Sequence, residues 1–262
     1  MKIGGDKLDS TYFSYNGIRS ETMGVQLVKT KPGLIGEPYL PDKEIILERN
    51  IGEPISYIYG YQDNPAKYKI TLTLDDGLYW TTVKRREIAR WLDCGKFAEF
   101  YSVDDVNKLY FLCLEGDSEL ITNGNQQGYV ELTFLSISPY TYTQKYQKIY
   151  DLSDISEPTT IEFDNLGDVS LFPELNILKY GDGELQITNL SNEGRVFLFS
   201  ELFDGETVNM DNKKRLIQTS DPDLYRYDSF NMNWLELVYG SNKLEVKGAC
   251  KIVFNYRFAM KG

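Results

Sequence analysis

The chain has 262 residues, of which 42% are hydrophobic and 26% charged, and its net charge is −11. That length suits two domains of ordinary size, and so acidic a surface repels DNA and anionic lipid rather than binding them. Histidine is absent, which removes Ser-His-Asp and Cys-His nucleophiles, most zinc enzymes and most general-base designs together.

From the N-terminus, Asn16-Gly17 marks a tight hairpin turn, both of whose central positions want positive φ. Phe13 precedes it, and Met23, Val25 and Leu27 alternate after it. Residues 31–44 carry Pro32, Gly33, Gly36, Pro38 and Pro41 and read as a long loop or an extended arm. Residues 67–74 give the clearest strand: Tyr68, Ile70, Leu72 and Leu74 face one way, and Lys67, Lys69, Thr71 and Thr73 the other. One helix is predicted over 82–94, with Val83, Ile88, Trp91 and Leu92 on its apolar stripe and Gly95 as its stop.

Strands resume at 98–101, 109–114 and 128–138. In the last of these, Val130, Leu132 and Phe134 alternate with Glu131 and Thr133. Leu135 and Ile137 then put apolar side chains on the opposite face, which predicts a bulge or a strand covered on both sides. Pro139 stops the ladder. The polar, tyrosine-rich stretch that follows reads as the seam between domains: 1–142, then a linker 143–158, then 159–262.

The second half carries predicted strands at 160–163, 174–178, 184–188, 195–202, 206–211, 234–238, 243–246 and 249–258. Asp182-Gly183 and Asp204-Gly205 read as hairpin turns, and Gly240-Ser241-Asn242 as a third turn. Short strands at this spacing, with no helix between them, predict a β-sandwich or jelly roll. The fold class is therefore mainly β (a β-rich α+β chain), with one helix in its first half.

Candidate chemistry is sparse. Cys94, Cys113 and Cys250 are odd in number and widely spaced, fitting neither a disulfide framework nor a zinc site. Lys84-Arg85-Arg86 and Lys213-Lys214-Arg215 read as a solvated helix face and a turn, since phosphate binding needs many positive charges on one face. Glu201, Asp204, Glu206 and Asp211, and then Asp221, Asp223 and Asp228, are the acidic clusters. A glycosidase pair needs two carboxylates across a cleft, and Asp221-Pro222-Asp223 lacks the spacing and glycine of a calcium loop; the simpler reading is turns and solvated loops. Trp234 with nearby tyrosines is the candidate sugar-stacking surface, against the plainer reading of a core tryptophan. No apolar run is long enough to span a bilayer, and residues 1–7 lack a signal-peptide core, so synthesis and folding in a cytoplasm are expected. No catalytic residue, metal or cofactor is assigned.

Several motifs together resemble the distal tail proteins of siphophages that infect Gram-positive bacteria. In the second half these are Phe163-Asp164-Asn165-Leu166-Gly167 followed by Pro173 and Ile177, then Ile187-x-Asn189, then Gly205-Glu206-x-Val208-x-x-Asp211. Asn231-x-x-Trp234-x-x-Leu237-x-x-Gly240-x-Asn242 precedes the final strands. In the first half they are the stretch from Tyr15 to Ser20, Met23-Gly24, the helix through Arg86 and Leu92, and Thr133-Phe134 running into Pro139-Tyr140. The order of these motifs, more than any one of them, carries the resemblance.

The resemblance implies an N-terminal belt domain followed by a C-terminal galectin-like β-sandwich. It implies a virion structural protein at the phage tail tip, made in the host bacterial cytoplasm. It further implies a homo-hexameric ring around a DNA channel, with the tail-tube (major tail) protein on one side and the tail-associated lysin or fibre protein on the other. Some members also hold receptor-binding proteins through an arm insertion, and others carry an inserted carbohydrate-binding module; about 100 residues after the seam make one sandwich and no more, so neither is expected here. Leu135 and Ile137 are the oligomer-interface candidates, covered by a neighbouring copy or by the second domain. The alternative is a carbohydrate-binding β-sandwich protein contacting the host cell wall.

Overall fold

A computed structural model describes residues 11–28, 42–52 and 54–261. The chain divides into two compact units, Met1–Tyr142 with Lys261–Gly262, and Thr143–Met260. Most of the proline-rich stretch 31–44, read as a loop or arm, lies outside the described residues; its end, from Asp42, begins a strand.

In the first unit the strands are β1 (Phe13–Tyr15), β2 (Ile18–Arg19), β3 (Val25–Leu27), β4 (Asp42–Glu48), β5 (Tyr57–Asn64), β6 (Lys67–Leu74), β7 (Ala98–Ser102), β8 (Asp105–Thr122), β9 (Gly128–Ser136) and β10 (Thr141–Tyr142). The main sheet runs β2-β1-β7-β8-β9-β6-β3, and β10 pairs β8. Asn16 and Gly17 take positive φ in the β1–β2 turn, as their types predict. In β6 the alternation holds: Ile70, Leu72 and Leu74 are buried, facing Leu132 and Phe134 of β9 and the helix α1 (Thr82–Leu92).

Thr81 caps α1 through a bond from the Lys84 amide to its side chain, which satisfies one orphan donor of the first turn. The helix buries Ile88, Trp91 and Leu92, but Val83, expected on the same stripe, is solvent-exposed, because at 3.6 residues per turn it points away from the face those three share, which Lys84 continues in the first turn. It ends at Leu92 rather than Cys94, with Gly95 in the left-handed region just beyond. Trp91 stacks on Phe13 and donates its indole N–H to the Tyr15 carbonyl at 2.9 Å, so the helix is tied to β1 by both packing and a hydrogen bond.

β8 is much longer than the predicted 109–114. It continues through an irregularity between Glu115 and Glu119 to Thr122, paired with β9 on both sides of that break. Its far turn is fixed by Trp80, whose amide donates to Gln126 O and whose indole donates to Gly128 O. A Cβ at Gly128 would lie 1.9 Å from Ile121 O, so only glycine allows the two strands to close there.

The second unit is a sandwich of two antiparallel sheets. Its strands are β11 (Tyr146–Leu152), β12 (Thr159–Asn165), β13 (Glu174–Lys179), β14 (Gly183–Asn189), β15 (Arg195–Leu202), β16 (Thr207–Asp211), β17 (Leu216–Thr219), β18 (Gly240–Lys247) and β19 (Cys250–Tyr256). The orders are β11-β19-β13-β16-β17 and β12-β18-β14-β15. Ile177, Leu185, Phe199, Val208, Leu244 and Ile252 are among the side chains buried between them. The predicted linker 143–158 is therefore corrected: it contains β11, an edge strand paired with β19 along its whole length.

The two Asp-Gly turns are not hairpins. β13 and β14 lie in opposite sheets, as do β15 and β16, so each turn carries the chain across the sandwich. The turns lock one another: Gly181 N donates to Asp204 Oδ1 at 2.7 Å, and Asp204 N donates to Asp182 Oδ1 at 2.8 Å. Gly240-Ser241-Asn242, predicted as a turn, instead opens β18.

The predicted strand at 234–238 is a strap, attached to ladder only where Leu237 bridges Leu171. Asparagine side chains hold the rest. Asn165 Nδ2 donates to the Val169 and Leu237 carbonyls. Asn189 Nδ2 donates to Glu236 O and to Asn242 Oδ1. Asn242 Nδ2 donates to the Val238 and Gly240 carbonyls, and Asn212 Oδ1 accepts from the Leu235 amide. All four asparagines are buried, so each replaces the ladder bonds that an irregular buried segment would otherwise lack. Asn242→Ala is expected to lower stability by about 1–3 kcal/mol, because it strands several buried polar groups at once; urea unfolding followed by circular dichroism measures the loss.

Candidate assembly interface

Several of the residues weighed as chemistry are committed to structure. Glu206 is buried and accepts Arg226 Nε at 2.7 Å and a second guanidinium nitrogen at 2.6 Å. It also accepts Thr219 Oγ1 and the Phe203 amide, and the Arg226 guanidinium lies over the Phe203 ring. Burial alone would raise the Glu206 carboxyl; the bonds from Arg226, Thr219 and Phe203 outweigh it and hold the carboxyl below the ordinary glutamate value. Asp211 is engaged by the Lys214 amide and ammonium, and Asp221 accepts the Asp223 amide in a local turn. Among the described residues no cluster of acids and thiols could hold a metal ion.

Trp234 is 5% exposed and packs edge-on against Phe230, so it is a core residue and no sugar platform. The three cysteines are free, and burial pushes the Cys250 thiol up to about 12. In the basic triplets, Lys84 pairs with Glu87, Arg85 donates to Trp80 O, and Lys214 pairs with Asp211. No helix among the described residues is long and apolar enough to cross a membrane.

What stands out instead is apolar surface. β4 and β5 form a sheet of two strands. Ile45 faces Tyr61 and Leu47 faces Ile58 across it, while Ile46 opposes Gly60, and a register shift beside Leu47 admits Tyr59 as the extra residue. All six of these large side chains are exposed, from 47% at Ile46 to 68% at Tyr59. Ile51 and Ile55 add to them at the far end of the ribbon. Apolar side chains so placed on a soluble protein mark a contact surface. Sequence reasoning missed this ribbon, although Ile45-Ile46-Leu47 and Tyr57-Ile58-Tyr59 are visible as two apolar runs.

Leu135, on β9, is half-buried between Lys67 of β6 and Cys113 of β8, on the sheet face opposite Leu132 and Phe134. Ile137 follows the strand and is 54% exposed, with its amide donating to Phe111 O.

The sequence profile of the phage tail protein N-terminal domain matches residues 8–138, and that of the phage tail C-terminal domain matches residues 140–256. The chain belongs to the phage tail protein family. The tail protein is 28% identical over 252 residues to the SPbeta prophage-derived protein YomH of Bacillus subtilis strain 168, covering 95% of this chain and 98% of that one.

Its fold is that of the SPP1 Dit (gp 19.1) protein, described as a paradigm of the hub adsorption apparatus in phages infecting Gram-positive bacteria. The TM-score is 0.68 at 14% identity, over 94% of the tail protein and 98% of Dit. A chain of the phage P2 baseplate in its activated conformation with calcium also matches, with a TM-score of 0.50 at 11% identity over 90% of each chain. The resemblance to distal tail proteins read from the sequence motifs is thus borne out.

Because the Glu206 value is depressed in the folded state, the Glu206–Arg226 pair contributes its full stability above the ordinary glutamate range and loses it as pH falls through the depressed value. Glu206→Gln is expected to melt at a lower temperature than the parent at neutral pH and to lose less on acidification. Thermal melts across the acid range check both differences.

Proposed function

We propose that the tail protein is a non-enzymatic ring-forming adaptor of the siphophage tail tip. Six copies close a ring around a DNA channel. One side of the ring meets the tail-tube protein and the other the tail-associated lysin or fibre protein. The single observation that carries this reading is the apolar β4–β5 ribbon, which has no cover among the described residues of its own chain and which a neighbouring copy would bury. The phage tail family and the Dit fold support the same role. The carbohydrate-binding alternative loses its platform, since Trp80, Trp91 and Trp234 are all buried.

Leu135 and Ile137 belong to the proposed interface as well. Leu135→Asp or Ile137→Asp is expected to reduce assembly far more than the melting temperature of the protomer. Mass measurement and negative-stain imaging of the purified chain test the reading: a six-fold ring supports it, and a strict monomer at high concentration overturns it.

The channel wall is the proposed site of part of the −11 charge. Glu119 faces Glu131 directly across β8 and β9, both exposed, a like-charge pairing that costs sheet stability. A wall of one negative sign would let DNA slide without adhering, because there is no cation to displace counterions. Glu119→Lys combined with Glu131→Lys is expected to slow DNA delivery by assembled phage while leaving the ring mass unchanged. Delivery at the parental rate would remove these two residues from the channel.

A further inference from the structure

The ribbon joins the main sheet of the first unit at a corner that several hydrogen bonds brace. Tyr140 donates its hydroxyl to Asp63 Oδ2 at 2.5 Å, at the base of β5. The Ser136 amide donates to Ala66 O at 2.9 Å, just past Pro65. The exit of the ribbon is thereby held at two points on either side of a residue whose φ is fixed by its ring. Asn64 Nδ2 reaches Asp42 Oδ2 at 3.5 Å, tying the two ribbon strands together at the same level.

The corner itself is stitched around Ser138. Ser136 Oγ donates to Ser138 O at 2.7 Å, the Tyr140 amide donates to Ser138 Oγ at 3.2 Å, and the Tyr142 hydroxyl donates to Ser138 Oγ at 2.9 Å. Tyr142 is in turn paired with Leu109 of β8, and its ring meets Phe111 edge-on. The Tyr140–Asp63 bond is the link that reaches the ribbon itself, the Ser136–Ala66 bond holds the chain just past it, and the bonds to Ser138 order the corner that carries Tyr140.

We propose that Tyr140 is a positioning residue that aims the β4–β5 ribbon at a second copy of this chain. The inference rests on the ring-forming reading above and adds to it the device that sets the ribbon's direction. The exposed large side chains of the ribbon amount to on the order of 1,000 Å², comparable to one partner's share of a standard interface. That area serves binding only if the ribbon does not have to be immobilised at the moment of docking, because ordering a swinging element subtracts from affinity. A latch at the base removes that cost in advance. Burial and the Asp63 partner push the Tyr140 hydroxyl up to about 12, so it remains a donor at any pH a virion meets.

The experiment is a dilution series of the full chain, read by mass photometry, with parallel thermal melts. Parent, Tyr140→Phe, Asp63→Ala, the double variant and Ile58→Asp are compared. Tyr140→Phe is expected to raise the concentration needed for assembly about tenfold, the worth of one such hydrogen bond, with the protomer melt unchanged. The double variant is expected to assemble no worse than the poorer single variant, the mark of one shared interaction. A parent that never assembles overturns the ring reading and this inference with it. A parent that assembles, is disrupted by Ile58→Asp and is unaffected by Tyr140→Phe overturns the latch alone. So does a Tyr140→Phe melt lowered in step with assembly, which would make the bond a stabiliser of the protomer.

Discussion

A ribbon of two β-strands has two faces and no layer of its own to cover either, and in water such an element is marginal. Here the ribbon carries isoleucine, leucine and tyrosine where a free-standing hairpin would carry charge. Burying side chains of that size is worth about 1.5–3 kcal/mol each, a driving force that the described residues of its own chain leave unspent. The rest of the first unit reads as support for this element. A broad sheet is stiffened by α1 on one face, and a serine-rich corner projects from its end at the ribbon base.

The second unit solves a different problem by other means. Two sheets share a well-filled core, but the chain must cross between them repeatedly and once, over residues 220–239, runs without a strand. Buried irregular backbone is costly unless each amide and carbonyl finds a partner. Asparagine is the side chain suited to the task, because it offers donor and acceptor on one short, neutral stem. Asn165, Asn189, Asn212 and Asn242 come from four separate parts of the chain and converge on the strap around Trp234. The motifs of the second half that contain Asn165, Asn189 and Asn242 therefore have a shared physical basis: these asparagines fasten a segment that has no sheet of its own.

Much of this was legible in the chain, wherever one face of an element is covered by its own domain. β6, with its strict alternation, and the Asn16-Gly17 turn declare themselves because local chemistry and tertiary environment agree. Val83 was misplaced because apolar character was taken for position: at 3.6 residues per turn it falls on a different side of α1 from Ile88, Trp91 and Leu92. The outer half of β8 was hidden by Glu115, Asp117 and Glu119, polar residues in a strand stretch with little to bury. The Asp-Gly turns were visible as turns, but no local signal tells whether the next strand stays in the same sheet. The strap was mistaken for a strand because its apolar residues are buried as a strand's would be, while its hydrogen bonds come from distant side chains. The ribbon was missed for the opposite reason: its apolar runs lack the one-sided pattern that a reader seeks when a single chain supplies the cover. The interface candidates Leu135 and Ile137 stood out in the sequence because they put apolar side chains on the strand face opposite Val130, Leu132 and Phe134.

The reciprocal bonds between the turns at Asp182 and Asp204 have a consequence for how the sandwich lasts. Each carboxylate accepts an amide from the other turn, so neither bond can form until both crossings are made and the two sheets lie in register. The topology makes the pair one of the last contacts available, and interactions absent from the transition state act chiefly on the unfolding rate. The pair is a ratchet on escape more than an aid to arrival. In a protein with free thiols and no covalent staple among its described residues, slow opening is what persistence outside a cell would draw on.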